Sequence, residues 1–128
     1  MPFRRAAAHL ASTTLMLALA VGSAHAQSIT GKYRVEGTNL DGSAYKGSAE
    51  IRAASDTSCV IRWRTGGGNS VQEGICMRSG NTIAAAYTFS NGIPGLVIYR
   101  IGPDGTLDGV WTVAGQSGAG TDVLIPTR

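Results

Sequence analysis

Cys59 and Cys76 are the residues whose type and spacing most directly predict chemistry in this chain. They lie on either side of Gly67-Gly68, a dipeptide typical of a two-residue hairpin turn. In that hairpin Cys59 faces Cys76 at a non-hydrogen-bonded site, where the Cα atoms are only about 4.5 Å apart and can be bridged. The same register sets Arg62 against Glu73, a favourable cross-strand pair. Because Cys59 and Cys76 are much farther apart in the sequence than the two cysteines of a redox-active C-x-x-C pair, the sequence predicts a structural disulfide.

Few other residues can supply chemistry. His9 and His25 both lie within residues 1–26, a segment that we expect to be removed, so no nucleophile–His–acid arrangement is predicted in the mature protein. Asp41 and Asp104 each precede a glycine in a predicted turn, and turn formation accounts for these aspartates better than a calcium-binding loop does. Most of the carboxylates fall on outward-facing strand positions; the candidates are Glu36, Glu50, Glu73, Asp104, Asp108 and Asp122. We therefore predict a protein with no catalytic residues, no metal site and no cofactor.

Residues 1–26 have the pattern of a secretory signal peptide. Arg4 and Arg5 supply a positive start, an apolar stretch follows over residues 10–21, and Ala24-His25-Ala26 matches a small-x-small cleavage site. The apolar stretch is shorter than the roughly 20 residues that a membrane-spanning helix needs. The sequence thus predicts a single mature domain, residues 27–128, located in the periplasm or secreted, where the compartment is oxidising and disulfides persist.

Charge excludes some classes of partner. Removal of Arg4 and Arg5 leaves basic and acidic residues nearly balanced, and no stripe of Lys and Arg runs along the chain, so nucleic acid is not an expected partner. The outward-facing positions of the first strands carry charged side chains, and from them we predict a charged outer face for the barrel. A charged outer face disfavours a membrane barrel, whose outer surface must be apolar. Stable membrane insertion is therefore not predicted.

The mature chain alternates between apolar and polar residues and is interrupted by turn residues such as Asp41-Gly42 and Asp104-Gly105. The short links predict antiparallel neighbours in a meander. We predict an all-β fold, an eight-stranded antiparallel meander that closes into a small barrel, with a sandwich as the alternative. The predicted strands lie near 28–37, 44–53, 58–66, 69–78, 81–89, 95–102, 106–114 and 120–126.

Large rings share the inward face of these strands. Small residues at Gly31, Gly47, Gly74 and Gly109 have the same parity and make room for the rings, as in a narrow filled barrel. The inward rings form either a filled core, which we favour, or a ligand pocket open at one end. The candidate core or ligand-lining aromatics are Tyr33, Tyr45, Trp63, Tyr87, Tyr99 and Trp111, with Phe89 beside them.

The spacing of glycines and aromatics resembles a family of small exported proteins of proteobacteria, mostly uncharacterised, some of which are named fibronectin-binding protein. The resemblance covers most of the mature chain and implies an exported β-protein that binds an extracellular protein. The motifs that carry it are Gly31-x-Tyr33-x-Val35-x-Gly37-x-Asn39-x-Asp41-Gly42-x-x-Tyr45-x-Gly47, Cys59-x-Ile61-x-Trp63-x-x-Gly66-Gly67, Gly74-x-Cys76 and Asp104-Gly105-x-Leu107-x-Gly109-x-Trp111-Thr112.

Two further likenesses are more distant. Gly31-x-Tyr33 is similar to the Gly-x-Trp opening of lipocalin and avidin barrels, with Tyr in place of Trp. The run from Asp41 to Tyr45 resembles the Ser-Gly-x-x-Tyr loop of periplasmic lysozyme inhibitors, with the residues in a different order. The former implies a ligand-carrying barrel and the latter implies an inhibitor loop.

The predicted function is that of an exported, non-enzymatic binding or structural protein of the bacterial envelope. Its partner would be a protein, docked on an exposed apolar patch that includes Ile93, Leu96 and Ile98, or a small apolar ligand inside the barrel. A periplasmic lysozyme-type inhibitor is the third hypothesis. These hypotheses differ in whether the barrel contains a cavity that is large enough for a small molecule.

Overall fold

The computed structural model describes residues 27–127, so the predicted signal segment 1–26 lies outside the described residues. Within that range eight antiparallel strands pair in chain order, and β1 pairs with β8 to close a barrel. The barrel prediction is confirmed, and closure distinguishes it from the sandwich alternative. The strands are β1 (Gly31–Thr38), β2 (Ala44–Ala53), β3 (Cys59–Thr65), β4 (Ser70–Ser79), β5 (Thr82–Thr88), β6 (Pro94–Ile101), β7 (Leu107–Val113) and β8 (Gly120–Pro126).

The hairpin formed by β3 and β4 has the predicted register. Cys59 faces Cys76 with their Cα atoms 4.9 Å apart, and the two sulfurs form a disulfide. Arg62 faces Glu73, and Arg62 Nε lies 3.3 Å from Glu73 Oε2. The turn itself differs from the predicted two-residue loop, because Gly66–Gly68 form a short 3₁₀ turn in which each glycine has a positive φ. Glycine accommodates such angles without steric cost, so the loop could lengthen while the register stayed the same.

One end of the barrel is filled by aliphatic side chains. The alternation is strict on β5 and β6, where every second residue is buried and the residues between are exposed. The side chains at this end are almost inaccessible to solvent, and the disulfide packs among them; they include Val35, Ile51, Ile61, Ile83, Leu107 and Leu124. We call this the closed end of the barrel. It supplies most of the purely apolar burial that stabilises the fold.

Four inward rings each cover a glycine on the neighbouring strand. Tyr45 lies against Gly37, Tyr87 against Gly95, Tyr99 against Gly109, and Trp111 against Gly120; each is a directly opposed cross-strand pair. A Cβ atom at any of these glycines would lie closer to the ring than 3.0 Å. Glycine is therefore what allows a large ring to lie flat over the sheet inside a narrow barrel.

The other predicted small positions behave differently. Gly47 and Gly74 accommodate the backbone of the adjacent strand, since a Cβ there would strike the carbonyl oxygens of Arg64 and Ala86. Gly31 has no heavy atom within 4 Å of the position of a Cβ. Of the glycines predicted to make room for rings, Gly109 alone does so in the described part of the chain. The alternation of residues along each strand identified which glycines face inward, but it did not identify the atoms that lie next to each glycine.

The outer surface has two chemically distinct halves. Over β1 to β3 it carries charged side chains, including Glu50, whose Oε1 lies 2.9 Å from Arg52 Nε. Over β4, β6 and β7 it instead exposes large apolar side chains, so the prediction of a charged outer face is right for the first strands only. These apolar side chains are between 45% and 62% exposed: Val71, Ile75, Met77, Leu96, Ile98 and Val110. No helix in residues 27–127 is long and apolar enough to cross a membrane.

Candidate ligand-binding pocket

The end of the barrel opposite the closed end contains a cavity. This open end is bordered by the β1–β2, β3–β4, β5–β6 and β7–β8 connections, because successive hairpins alternate between the two ends. The cavity has a volume of about 320 Å³ and is open to solvent. Among the described residues, the rings that line it are Tyr45, Trp63, Tyr87, Phe89 and Trp111.

The rings of the pocket pack edge to face. The ring centroids of Trp63 and Tyr87 are 5.4 Å apart, and those of Tyr87 and Phe89 are 5.5 Å apart. Tyr45 and Trp111 form a similar pair across the pocket wall, with centroids 6.4 Å apart. These separations lie in the range that aromatic pairs favour, so the wall is built of mutually supporting rings.

Hydrogen bonds anchor the polar tips of these rings. Trp111 donates its indole N–H toward the carbonyl oxygens of Thr38 and Thr121, each 3.2 Å away, and Tyr87 donates its hydroxyl to the carbonyl of Thr112 at 3.3 Å. Within residues 27–127 no buried side-chain nitrogen or oxygen lacks a partner. The ring orientations are thus specified by polar contacts as well as by packing.

Asp122 forms the floor of the pocket together with three aromatic residues. Its side chain points inward from β8 and is only 4% exposed. Tyr45 donates its hydroxyl to Asp122 Oδ1 at 2.7 Å, and Tyr99 donates its hydroxyl to Asp122 Oδ2. Trp63 in turn donates its indole N–H to the Tyr99 hydroxyl oxygen at 2.9 Å. The network ties β2, β3, β6 and β8 together at mid-height in the barrel.

Burial and charge perturb the groups of this network. Burial raises the pKa of Asp122 above its ordinary value, while the hydrogen bonds from Tyr99 and Tyr45 oppose that rise by stabilising the carboxylate. Burial, followed by the nearby charge of Asp122, raises the pKa of Tyr99 well above its ordinary value and raises the pKa of Tyr87 to about 12. Both tyrosines are therefore hydrogen-bond donors at neutral pH.

The rim of the pocket is polar and uncharged. Asn39, Thr65, Ser70 and Gln72 contribute to it, and Gln72 donates its side-chain amide to the Ser70 hydroxyl at 2.7 Å. A second, more open depression of about 430 Å³ shares Asn39, Phe89 and Trp111 with the pocket and continues over the β1–β2 and β5–β6 connections. The pocket therefore widens toward solvent on one side.

The predicted aromatic residues occupy three levels of the barrel. Tyr45, Trp63, Tyr87 and Trp111 line the pocket, while Tyr99 is fully buried beneath it. Tyr33 lies near the closed end, where its hydroxyl donates to the carbonyl of Ile29. The closed end is thus filled, as in the core that we favoured, and the open end contains a cavity.

Asp122 is the residue that sequence reasoning misplaced. It was grouped with carboxylates that lie mostly on outward-facing positions, whereas the structure buries it at the pocket floor. The parity of β8 was ambiguous, because Val123 and Ile125 are as apolar as the inward Leu124. The available signal was the alternation of Gly120, Asp122 and Leu124, which share one face of the strand.

Comparison with known proteins supports the fold and gives no further information about this chain. No protein-family model and no curated protein sequence matches the chain. The solved structures that it resembles include the redesigned β-barrel mFAP1 bound to DFHBI, with 18% identity, a TM-score of 0.64, and coverage of 76% of this chain and 94% of that one. Another redesigned β-barrel has 16% identity, a TM-score of 0.67, and coverage of 78% and 92%. At such low identity these likenesses confirm the barrel architecture.

Proposed function

We propose that the protein binds a small, largely apolar, ring-containing molecule in the open end of its barrel. The observation that carries the proposal is the aromatic pocket of about 320 Å³ with a polar floor. Small-molecule sites are typically concave, about 300–1,000 Å³ in volume, and lined mostly by apolar and aromatic side chains with a few placed polar groups. Some of the similar designed barrels are described as bound to DFHBI, which supports the use of such an interior for a ligand.

A neutral solvatochromic naphthalene dye, prodan, tests this proposal. Its emission should shift to shorter wavelength and intensify when it moves from water into the pocket. Gln72→Phe places a ring at the pocket wall and should abolish the change. Val71→Phe adds the same ring to the neighbouring, outward-facing position, which is 45% exposed, and should leave it intact. Equal binding by both variants would contradict the proposal, and so would failure of the wild-type protein to bind either prodan or smaller benzene derivatives.

The apolar outer side chains are the observation that favours a protein partner instead. Leu96 and Ile98, predicted to belong to a docking patch, are exposed on β6, whereas Ile93 is half-buried beside the open end. Exposed apolar side chains are common on protein surfaces, but a preformed, hydrogen-bonded cavity is not. Small-ligand binding is therefore the function that the geometry supports best.

We further propose that the protein acts in the periplasm or outside the cell and binds its ligand without transforming it. The signal-like pattern of residues 1–26 and the Cys59–Cys76 bridge support export. Cell fractionation would place the protein outside the cytoplasm, and Ala24→Arg, which disrupts the cleavage pattern, should retain the precursor form. Recovery of an unchanged ligand after prolonged incubation is the expected result for a carrier, and turnover would contradict it.

A further inference from the structure

The charged groups at the open end suggest which ligands the pocket selects. Asp122 is the one carboxylic acid among the described residues that line the pocket, and no Lys, Arg or His lines it there. The ion pairs in the described part of the chain join other residues on the outer face, such as Arg62 with Glu73. Asp122 thus carries a buried carboxylate that tyrosine hydroxyls solvate and with which no Lys or Arg of residues 27–127 forms an ion pair.

Such an arrangement is unusual, because a buried carboxylate is costly unless it is paired with a cation or extensively hydrogen-bonded. Tyr45 and Tyr99 supply a hydrogen bond to each carboxylate oxygen, and each oxygen keeps a further lone pair. A positively charged group in the pocket would complete the solvation of this carboxylate, which belongs to a residue that is only 4% exposed.

The aromatic rings around the pocket also favour a positively charged ligand. The face of an aromatic ring carries negative electrostatic potential, so Trp, Tyr and Phe faces attract ammonium and guanidinium groups within about 6 Å. Trp63 and Trp111, the strongest rings for this interaction, lie in the wall of the pocket. An anion in the pocket would face the Asp122 carboxylate and would be disfavoured by it.

The approach to the pocket also carries a negative charge. In the depression that joins the pocket, Asp41 is exposed, and hydrogen bonds from Ser43 to its carboxylate lower the pKa of Asp41. Lys46 on β2 and Arg64 on β3 are exposed. Neither of these basic residues lines the pocket. A cation that approaches through this depression thus meets Asp41 first and then, beyond the uncharged rim of the pocket, Asp122 at the floor.

We propose that the pocket selects an organic cation, a protonated or quaternary amine attached to an apolar group, with the charge directed to Asp122 and the aromatic faces around it. This inference rests on the proposed function, because it specifies the ligand class of the same pocket.

Three probes of similar size and different charge test it: phenyltrimethylammonium, its neutral isostere tert-butylbenzene, and benzenesulfonate. Binding can be followed by intrinsic fluorescence, since the chain contains two tryptophans and both line the pocket. The cation should bind about tenfold or more tighter than the neutral isostere, the scale expected for a charge that is paired and surrounded by rings. Benzenesulfonate should bind weakest of the three.

Two variants assign the selectivity to the pocket. Asp122→Asn should lower the ratio of the affinity for the cation to the affinity for tert-butylbenzene about tenfold. Because Asp122 also holds a hydrogen-bond network, Gln72→Lys provides a second variant that leaves Asp122 in place. It should weaken binding of the cation and strengthen binding of benzenesulfonate, whereas Val71→Lys, on the outer face of the same strand, should change neither.

Equal affinities for the cation and its neutral isostere would overturn the cation proposal while leaving small-ligand binding intact. Tightest binding of benzenesulfonate would overturn it as well. Failure of all three probes and of prodan to bind would overturn the proposed function itself, so the two failures are distinguishable.

Discussion

At the scale of single residues, Asp122 links the stability of the barrel to pH. Burial raises the pKa of its carboxyl above the ordinary value of 3.8, so the folded protein binds a proton at this group more tightly than the unfolded chain does. The contribution of Asp122 to stability is therefore fully present below that ordinary value and is lost as pH rises through the raised pKa of the folded state.

Asp122→Asn isolates this contribution. The free energy of unfolding of the wild-type protein, minus that of Asp122→Asn, should fall as pH rises from below 3.8 to above the pKa of the folded state. The exposed carboxyls of Asp41, Glu50 and Asp104 have lowered pKa values and act in the opposite direction, but they are common to both proteins and cancel in the difference. Denaturant titrations at a series of pH values measure it, and a difference that rises with pH would contradict the assignment.

Glycines beneath the rings give a second prediction at this scale. Gly109→Ala places a methyl group against the ring of Tyr99, which is fully buried and cannot move away freely. The free energy of unfolding should fall by about 1–3 kcal/mol, as is usual for overpacked cores. Gly102→Ala is the control, since its Cβ would meet no ring and its nearest neighbour would be 3.1 Å away on Asp104. Equal effects of the two substitutions would contradict the role assigned to Gly109.

At the scale of elements, the Cys59–Cys76 disulfide cross-links the two strands of the β3–β4 hairpin. Cross-strand contacts such as Arg62–Glu73 lie on the exposed face, where an ion pair contributes at most about 1 kcal/mol, so the covalent bridge is the stronger constraint. Cys59 is the first residue of β3, so the bridge lies at the closed end of the barrel, far from the β3–β4 turn. It therefore limits the freedom of the whole hairpin in the unfolded chain.

The double variant Cys59→Ala, Cys76→Ala should lower the free energy of unfolding by about 3 kcal/mol, the scale expected for a closed loop of this length. Thermal or denaturant unfolding measures the change. Addition of dithiothreitol should destabilise the wild-type protein by a similar amount and leave the double variant unaffected. A wild-type protein that is insensitive to reduction under unfolding conditions would contradict a stabilising role for the bridge.

At the scale of the whole molecule, the two faces of the sheet make different contributions to stability. Ile83 and Ile98 lie on adjacent strands, yet the former is fully buried at the closed end and the latter is 59% exposed. Outward side chains from β4 to β7 align across the sheet, with Met77, Ala84, Ile98 and Val110 in one row by register. The apolar row is a surface feature, so it should add little to the stability of the monomer.

A matched pair of isoleucine variants tests this separation. Ile83→Ala should lower the free energy of unfolding by about 2–5 kcal/mol because it leaves a cavity in the closed end. Ile98→Ala should change it by about 0.5 kcal/mol or less, as is usual for surface positions. Chemical denaturation measures both, and a large effect of Ile98→Ala in the monomer would contradict the assignment of this face.

The sequence by itself determined the strand-and-turn pattern, the register of the β3–β4 hairpin and the inward orientation of the rings. Each of these follows from short-range rules, namely the two-residue period of a strand and the glycine-rich turns that end it. The tertiary structure alone decided that the open end is hollow, that Asp122 lies on its floor, and which glycine each ring covers. Those features depend on strands distant in the sequence, such as β2, β6 and β8, which meet only when the barrel closes.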